Sequence, residues 1–140
     1  MMLPDVNVLI AAFRSGHVHH SICRHWLESA LDSDEMLGIS PLALTAVVRI
    51  TTNPKAFAEP SSPADAIGFG DDLFANRNVT AIVPGTEHWR LFAGLCISLN
   101  VRGQMVTDAW FAALAIECDC EWVTLDRDFA RFPGLRWRSP

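Results

Sequence analysis

Short apolar runs alternate along the chain with longer stretches in which apolar positions recur at helical spacing. The apolar runs predict strands at residues 2–6, 36–39, 79–83 and 121–125, with a short fifth strand at 135–137. The helical stretches cover residues 17–31, 41–52, 63–75 and 87–99, and a last one begins near residue 107. Short strands that are apolar on both faces and separated by helices are typical of a parallel sheet covered on both sides.

Prolines and capping residues mark where several of these helices begin and end. Pro41 can take the first position of a helix without losing a hydrogen bond, and Pro54 ends that helix. Thr107 is predicted to cap the last helix, which places Asp108 in its first turn. The chain has no repeat, low-complexity tract or linker. The sequence therefore predicts one α/β domain over residues 1–140, with a parallel sheet of four to five strands between two helical layers.

The composition is that of a globular domain, with 50% hydrophobic and 19% charged residues. No apolar run approaches the roughly 18 residues that a membrane span needs, and the start of the chain lacks a signal-peptide pattern. We therefore expect a cytoplasmic protein without a membrane partner. The four cysteines lack the spacing of a zinc site, which indicates reduced, buried thiols.

The formal net charge of −5 argues at first against a nucleic-acid partner, because phosphate binding favours a basic surface. The charge is unevenly distributed, however. The last 14 residues contain four Arg and one Asp, a charge of +3, so the preceding 126 residues carry −8. Arg also makes up ten of the eleven basic residues, and its side chain suits bidentate phosphate contacts. The overall sign therefore excludes no class of partner.

Four aspartates fall where separate segments reach one edge of the predicted sheet. Asp5 ends the first strand, and Asp126 and Asp128 directly follow the fourth. Asp108 begins a helix whose body, residues 110–116, is almost entirely apolar and should therefore be buried. Because ligands bind at the carboxyl ends of parallel strands, we expect these four acids to share a site.

Several ionised carboxylates in one crevice repel each other unless a cation lies among them. Mg²⁺ or Mn²⁺ prefers such oxygen ligands, lowers the pKa of bound water and stabilises charge on a phosphodiester. Asn7 can add an amide oxygen or hold a bound water, and Thr107 and Thr124 can orient the carboxylates. The residue types thus favour a metal-dependent nuclease.

Structural explanations remain open for each acid alone. Asp108 can serve as a favourable first-turn charge, and Asp126 with Asp128 can form an Asx-type turn after the strand. Asp5 is harder to explain in this way, because a carboxylate at the end of a buried strand is costly without a partner.

Five segments resemble PIN-domain proteins, and specifically the VapC-type ribonuclease toxins of bacterial toxin–antitoxin pairs. They are residues 3–10 (LPDVNVLI), 52–57 (TNPKAF), 84–89 (PGTEHW), 106–115 (VTDAWFAALA) and 126–137 (DRDFARFPGLRW). The resemblance implies an α/β/α sandwich, Mg²⁺-dependent endoribonuclease activity, a tRNA or rRNA substrate, a VapB-type antitoxin and a homodimer. By position, Asp5, Asp108 and Asp126 match the family's catalytic metal ligands, and Asp128 matches its less regular fourth acid.

One position departs from the family pattern. PIN proteins usually carry a Glu on the helix after the second strand, and Ala46 occupies that position here. Glu117 cannot easily replace it, because nine residues of helix separate it from Asp108 by roughly 13 Å. The missing acid favours a single Mg²⁺, with any second ion arriving together with the RNA phosphate.

Other polar residues leave alternatives open. Arg49 can contact RNA phosphate, pair with a carboxylate of the site or remain solvated, and Arg127 can point outward to meet RNA or a partner. His17, His19 and His20 can supply a base but lie at a predicted helix start. A phosphatase of the haloacid-dehalogenase type would require an acid where Asn7 stands. A PIN module that binds RNA or antitoxin with little cleavage is the main alternative, because the Glu is missing.

Overall fold

A computed structural model describes all residues, 1–140, and confirms the predicted α/β fold. The strands are β1 (Met2–Pro4), β2 (Leu37–Ile39), β3 (Val79–Ala81), β4 (Glu121–Val123) and β5 (Trp137–Arg138). The helices are α1 (Val6–Phe13), α2 (His20–Asp32), α3 (Pro41–Thr51), α4 (Pro63–Ala75), α5 (His88–Ser98) and α6 (Met105–Glu117). A 3-10 helix, Arg127–Arg131, lies between β4 and β5.

All five strands are parallel, in the order β3-β2-β1-β4-β5. From β1 the chain moves outward through β2 to β3, and α1 to α4 form the layer that contains these crossovers. It then returns through α5 and α6 to β4 on the other side of β1. Because parallel crossovers are right-handed, this reversal places α5 and α6 on the opposite face of the sheet. The strand order therefore reverses between β1 and β4, where ligands of open α/β sheets bind.

Helix α1 is the element that the hydrophobic pattern did not predict. The expected strand at residues 2–6 stops at Pro4, and a helix begins at Val6. Five of the eight residues of α1 are buried, so the run from Val8 to Ala12 shows no amphipathic period. A short apolar run of this kind does not distinguish a strand from a buried helix. The result matters for the site, because Asp5 is the N-cap of α1 and not a strand residue.

The remaining predicted elements are present, and most of their bounds differ from the prediction by a few residues. Helix α2 begins at His20 and not at residue 17, and β5 comprises Trp137–Arg138 in place of residues 135–137. Helix α4 has the predicted bounds. Its N-cap, Ser62, accepts a hydrogen bond from the Asp65 N–H at 3.0 Å, which explains why the helix begins there.

A row of aromatic rings in contact fixes the second half of the sheet relative to α6 and the 3-10 helix. Phe111 of α6 stacks on Trp122 of β4 with ring centroids 5.4 Å apart. Trp122 contacts Phe129 of the 3-10 helix at 5.4 Å, and Phe129 contacts Phe132 at 5.7 Å. Since all four side chains are buried, they hold the middle of α6 and the segment after β4 in a fixed relation to the sheet.

The basic C-terminal segment is largely neutralised by acids from elsewhere in the chain. Arg136 pairs with Asp119 at 2.9 Å, and Arg138 pairs with Glu121 at 3.1 Å. The +3 charge of this segment therefore does not form one open basic patch. All four cysteines are free, and no helix has the length and apolar character needed to cross a bilayer.

Candidate active site and metal centre

The first part of the candidate site lies between the carboxyl ends of β1 and β4. These strands pair with Pro4 opposite Val123, so the next residues, Asp5 and Thr124, are neighbours. The Asp5 N–H continues the ladder with a 2.8 Å hydrogen bond to the Val123 carbonyl. Asp5 then leaves the sheet as the N-cap of α1, although its side chain does not make the usual capping bond to the second or third N–H of that helix. Its carboxylate is therefore turned toward other groups at this edge.

Two neutral donors hold the Asp5 carboxylate. The Thr124 hydroxyl donates to Oδ2 at 2.6 Å, and the Asn7 amide donates to the same oxygen at 2.8 Å. Asn7 also donates to the Thr124 hydroxyl oxygen at 3.1 Å and accepts from the Leu125 N–H at 3.1 Å. The amide oxygen that we predicted as a ligand thus accepts a main-chain bond, and Asn7 holds Asp5 in place. Neither contact to Asp5 uses its Oδ1.

Burial raises the pKa of Asp5 to about 6 from its usual 3.8. The Thr124 hydroxyl and the Val6 N–H lower it, whereas the nearby carboxylates of Asp108 and Asp126 raise it further. Asp5 is only 7% exposed and has no cationic side chain beside it. These hydrogen bonds offset only part of the effect of burial, so a cation that joined the group would further stabilise the charged form of Asp5.

Asp108 enters from the other helical layer. Helix α6 begins at Met105 with Gln104 as its N-cap, so the prediction that Thr107 caps this helix is wrong. Thr107 is exposed and its hydroxyl makes no hydrogen bond to an acid. Asp108 is half-buried in the first turn, where the positive end of the helix favours a carboxylate.

The electrostatics link Asp108 to the segment after β4. Burial is the main cause that raises the pKa of Asp108, and Asp126 raises it further. Arg131 opposes this shift, and Asp128 contributes in the raising direction. Since both Asp5 and Asp108 sense Asp126, the three predicted catalytic acids lie in one electrostatic neighbourhood.

Asp126 and Asp128 sit on an exposed turn. Asp126 is the N-cap of the 3-10 helix Arg127–Arg131, and its Oδ1 accepts from the Asp128 N–H at 2.8 Å. The Asp126 N–H in turn donates to the Thr124 hydroxyl oxygen at 3.0 Å. The Asx-type turn that we considered as a structural explanation is therefore present. The turn uses only Oδ1 of Asp126, so Oδ2 takes no part in this hydrogen bond.

Arg131 is a residue of the site that sequence reasoning did not identify. Its Nε donates to the Asp128 carbonyl at 2.9 Å, and its Nη2 lies 3.3 Å from Asp128 Oδ2. Its Nη1 points to the Met105 sulfur at 3.0 Å, at the start of α6. The only signal in the sequence was the spacing of three residues between Asp128 and Arg131, which brings side chains together on one helical turn.

Ser40 is a second residue that the sequence did not single out. It directly follows β2 and is 1% exposed, and its hydroxyl has no hydrogen-bond partner within the protein. Because β1 and β2 are parallel neighbours, Ser40 after β2 and Asp5 after β1 lie at the same edge of the sheet, with β2 on the side of β1 opposite β4. A buried hydroxyl without a partner is uncommon, and it offers a donor to a ligand or water at this edge.

The other predicted residues lie apart from these contacts. Ala46 is half-buried on α3, and Arg49 is exposed on the same helix without an ion pair. Glu117 accepts from the Gly85 N–H at 2.8 Å and the Glu87 N–H at 2.9 Å, so both of its oxygens are engaged at the start of α5. Glu117 therefore does not replace the missing acid.

The histidines and tryptophans divide between surface and core. His17 and His19 are half-exposed or exposed, and the His17 Nδ1 accepts from the His19 N–H at 3.1 Å. Neither contacts an acid of the site. Trp26 and Trp122 are buried in the core, whereas Trp89 is 73% exposed.

The donor set can hold a divalent cation through a small number of carboxylates. No group of three His, Cys, Asp or Glu side chains is spaced to enclose an ion. Mg²⁺ does not require such a cage, because it usually keeps several waters and takes one or two carboxylates together with substrate phosphates. The buried Asp5, the half-buried Asp108 and the partnerless Ser40 hydroxyl fit this mode of binding.

Comparison with known proteins agrees with this architecture. The PIN-domain family model matches residues 2–135. Ribonuclease VapC43 of Mycobacterium tuberculosis is 39% identical over 140 residues, covering 100% of this chain and 95% of that protein. Ribonuclease VapC25 of the same organism is 38% identical, covering 100% and 99%. The chain belongs to the PIN-domain family and, within it, to the VapC ribonucleases.

Solved structures show the same fold at lower identity. VapBC2 from Rickettsia felis, bound to a DNA fragment from its promoter, aligns with a TM-score of 0.71 at 15% identity, covering 99% of this chain and 98% of that one. VapC20 of Mycobacterium tuberculosis, described as a toxin that cleaves the sarcin-ricin loop, aligns with a TM-score of 0.68 at 13% identity, covering 97% and 99%.

Proposed function

We propose that this protein is a Mg²⁺-dependent endoribonuclease that acts as the toxin of a type II toxin–antitoxin pair. The observation that carries the proposal is Asp5, a buried acid that is held by Thr124 and Asn7 and has no cationic side chain beside it. Its pKa of about 6 reflects burial together with the charges of Asp108 and Asp126. Burying an ionised carboxylate costs free energy, and proteins accept such a cost at functional sites, as at a cation site for phosphodiester chemistry.

Asp5 and Asp108 would hold the Mg²⁺, with Asp126 as a third ligand and Asp128 as an outer one; Mn²⁺ has the same preferences. When bound, the ion supplies Lewis-acid stabilisation of the phosphate charge and activates water. Thr124 and Asn7 keep Asp5 in one orientation. Asp126, or another acid of the group, positions the attacking water. The water would lose a proton as its oxygen bonds to phosphorus, and the 3′ oxygen would take up a proton as its bond to phosphorus breaks, leaving a 5′-phosphate and a 3′-hydroxyl.

The substrate and partners follow from the family. Relatives named VapC ribonucleases, and a structural neighbour described as cleaving the sarcin-ricin loop, support an RNA substrate of the rRNA or tRNA class. Neighbours solved as VapBC complexes support a VapB-type antitoxin as inhibitor. The protein would act in the cytoplasm as a homodimer.

The direct test combines growth arrest with RNA cleavage. Wild-type protein, induced without antitoxin, should stop growth, and the purified protein should cut total RNA with Mg²⁺ but not with EDTA. Asp5→Asn and Asp108→Asn should each lower cleavage by about 100-fold or more, since loss of residues that merely support a metal already costs 10- to 100-fold. Asp119→Asn, an exposed acid paired with Arg136, is the matched control. Cleavage that persisted in both site variants, or in EDTA, would exclude this metal centre.

A second candidate function is a PIN module that binds RNA or antitoxin with little cleavage. It is favoured by Ala46 in place of the usual Glu and by the lack of three acids at ion-enclosing spacing. This candidate predicts that the wild type binds RNA and arrests growth without cutting. In that case Ala46→Glu should produce Mg²⁺-dependent cleavage, whereas Ala46→Gln, of the same size but uncharged, should not.

A further inference from the structure

An open groove of about 430 Å³ lies between the start of α6 and the 3-10 helix. It is next to the four aspartates of the candidate site, called here the acidic group: Asp5, Asp108, Asp126 and Asp128. It is lined by Leu99, Met105, Arg127, Asp128, Ala130 and Arg131. The groove combines two guanidinium groups with an apolar floor. The groove shares Asp128 and its partner Arg131 with the candidate site described above, and of its residues only Asp128 is a proposed metal ligand.

The two terminal nitrogens of the Arg131 guanidinium, Nη1 and Nη2, have only weak hydrogen-bond partners. The Nε is fixed by a 2.9 Å hydrogen bond to the Asp128 carbonyl, which sets the plane of the guanidinium. The Nη1 donates only to the Met105 thioether, a weak acceptor. The Nη2 lies 3.3 Å from Asp128 Oδ2, which is long for a charge-assisted hydrogen bond. The guanidinium group of Arg131 is thus held in one orientation and can still donate stronger hydrogen bonds from Nη1 and Nη2.

The competing partner, Asp128, holds Arg131 weakly. The Asp128 side chain is 75% exposed, and exposed ion pairs usually contribute little. A phosphate group accepts two parallel N–H bonds from a guanidinium fork, a stronger arrangement than a single long contact. Arg127 adds a second positive charge, because it is exposed on the same groove and takes part in none of the chain's ion pairs.

We propose that this groove binds a backbone phosphate of the RNA next to the cleaved linkage, with Arg131 as its main ligand and Arg127 as a second. The phosphate replaces the Asp128 carboxylate at Nη2, which frees Asp128 to turn toward the metal centre. Arg131 contacts Met105 at the start of α6, whose first turn carries Asp108, and this contact places the subsite beside the cleavage site. The apolar surface of Leu99 and Met105 would support the adjoining nucleoside. This inference rests on the proposed ribonuclease function.

The test measures RNA binding in EDTA, where metal binding and cleavage do not contribute. The probe is a short fluorescein-labelled single-stranded RNA, titrated with the full-length protein at several salt concentrations. Arg131→Ala should weaken binding by about tenfold, as expected for the loss of charge-assisted hydrogen bonds. It should also reduce the slope of log K against log salt by about 0.7, the value for one phosphate contact on a single strand. Arg127→Ala should produce a smaller loss of the same kind.

Two further variants distinguish a phosphate ligand from a structural residue. Arg136→Ala removes one arginine from the same segment, but at its pair with Asp119, and should leave the slope unchanged. Asp128→Asn should increase RNA affinity about two- to threefold, because it removes the competing carboxylate. Circular dichroism melting of each variant checks that the fold is retained.

The outcomes separate the two proposals. Wild-type protein that cuts RNA with Mg²⁺ but shows the same EDTA affinity and salt slope in Arg131→Ala as in Arg136→Ala would overturn the phosphate subsite alone. If Asp128→Asn left the RNA affinity unchanged or lowered it, the proposal that phosphate replaces the Asp128 carboxylate at Arg131 would be overturned. Wild-type protein that neither binds nor cuts RNA would overturn the ribonuclease function, and the subsite with it.

Discussion

The two halves of the acidic group are built in opposite ways. Asp5 is buried at the strand reversal and held by hydrogen bonds of 2.6 and 2.8 Å from Thr124 and Asn7. Asp128 lies on an exposed 3-10 helix, and a single 3.3 Å ion pair to Arg131 holds its carboxylate. The first half has its geometry set by folding, because its hydrogen bonds belong to the sheet edge. The second half can exchange partners when a ligand arrives.

The largest expected contrast concerns the stability of the protein without metal. Asp5→Asn should stabilise the fold on the order of 2–3 kcal/mol at about pH 8, because folding raises the pKa of Asp5 to about 6 from 3.8. The protonated form is favoured by folding, so the stability contributed by this group is highest below pH 3.8 and is lost as the pH rises through 6. Asn resembles the protonated acid and avoids that loss.

Urea unfolding of wild type and Asp5→Asn in EDTA, at about pH 8 and about pH 4, measures this difference, which should nearly vanish at the lower pH. Asp128→Asn is the matched control from the exposed half and should change the free energy of unfolding by less than about 0.5 kcal/mol. A gain in stability for Asp128→Asn equal to that for Asp5→Asn would contradict the contrast between the halves.

The next effect concerns the donor that holds the buried half. Thr124→Val keeps the shape of the side chain but removes the hydroxyl that donates to Asp5 and accepts from the Asp126 N–H. We expect a loss of about 2 kcal/mol at neutral pH, typical of a hydrogen bond to a charged group. The pKa of Asp5 should also rise further, since the Thr124 hydroxyl lowers it.

Chemical denaturation and an NMR titration of the Asp5 carboxyl carbon follow both quantities. Thr124→Ser retains the hydroxyl and should recover the pKa and most of the stability. In an Asp5→Asn background the cost of Thr124→Val should shrink, because the hydroxyl then serves a neutral group. An equal cost in both backgrounds would mean that Thr124 acts through packing alone.

Some features of the fold and of the candidate site could be predicted from the sequence and others could not, and the reasons are physical. Position along the chain predicts a shared edge for Asp5 and Asp126, because parallel strands deliver their carboxyl ends to one edge, and it adds Asp108 at the start of a buried helix. It was insufficient for α1, where a uniformly apolar run hides the helical period. It also missed Arg131 and Ser40. Their roles depend on one rotamer meeting one neighbour and on a sheet register between distant segments, neither of which a one-dimensional pattern contains.

The smallest expected effect tests the edge of the buried half opposite Thr124. Ser40 has a buried hydroxyl without a partner, so Ser40→Ala should leave the metal-free protein unchanged or stabilise it by up to about 1 kcal/mol. If that hydroxyl serves a ligand beside Asp5, the same variant should lower the increase in melting temperature that Mg²⁺ produces, because a ligand stabilises the fold in proportion to its affinity. Ser29→Ala, a substitution at an exposed serine of α2, provides the comparison. A Ser40→Ala protein with lower stability in EDTA and an unaltered response to Mg²⁺ would assign the hydroxyl to the fold, and the metal centre would then rest on the aspartates alone.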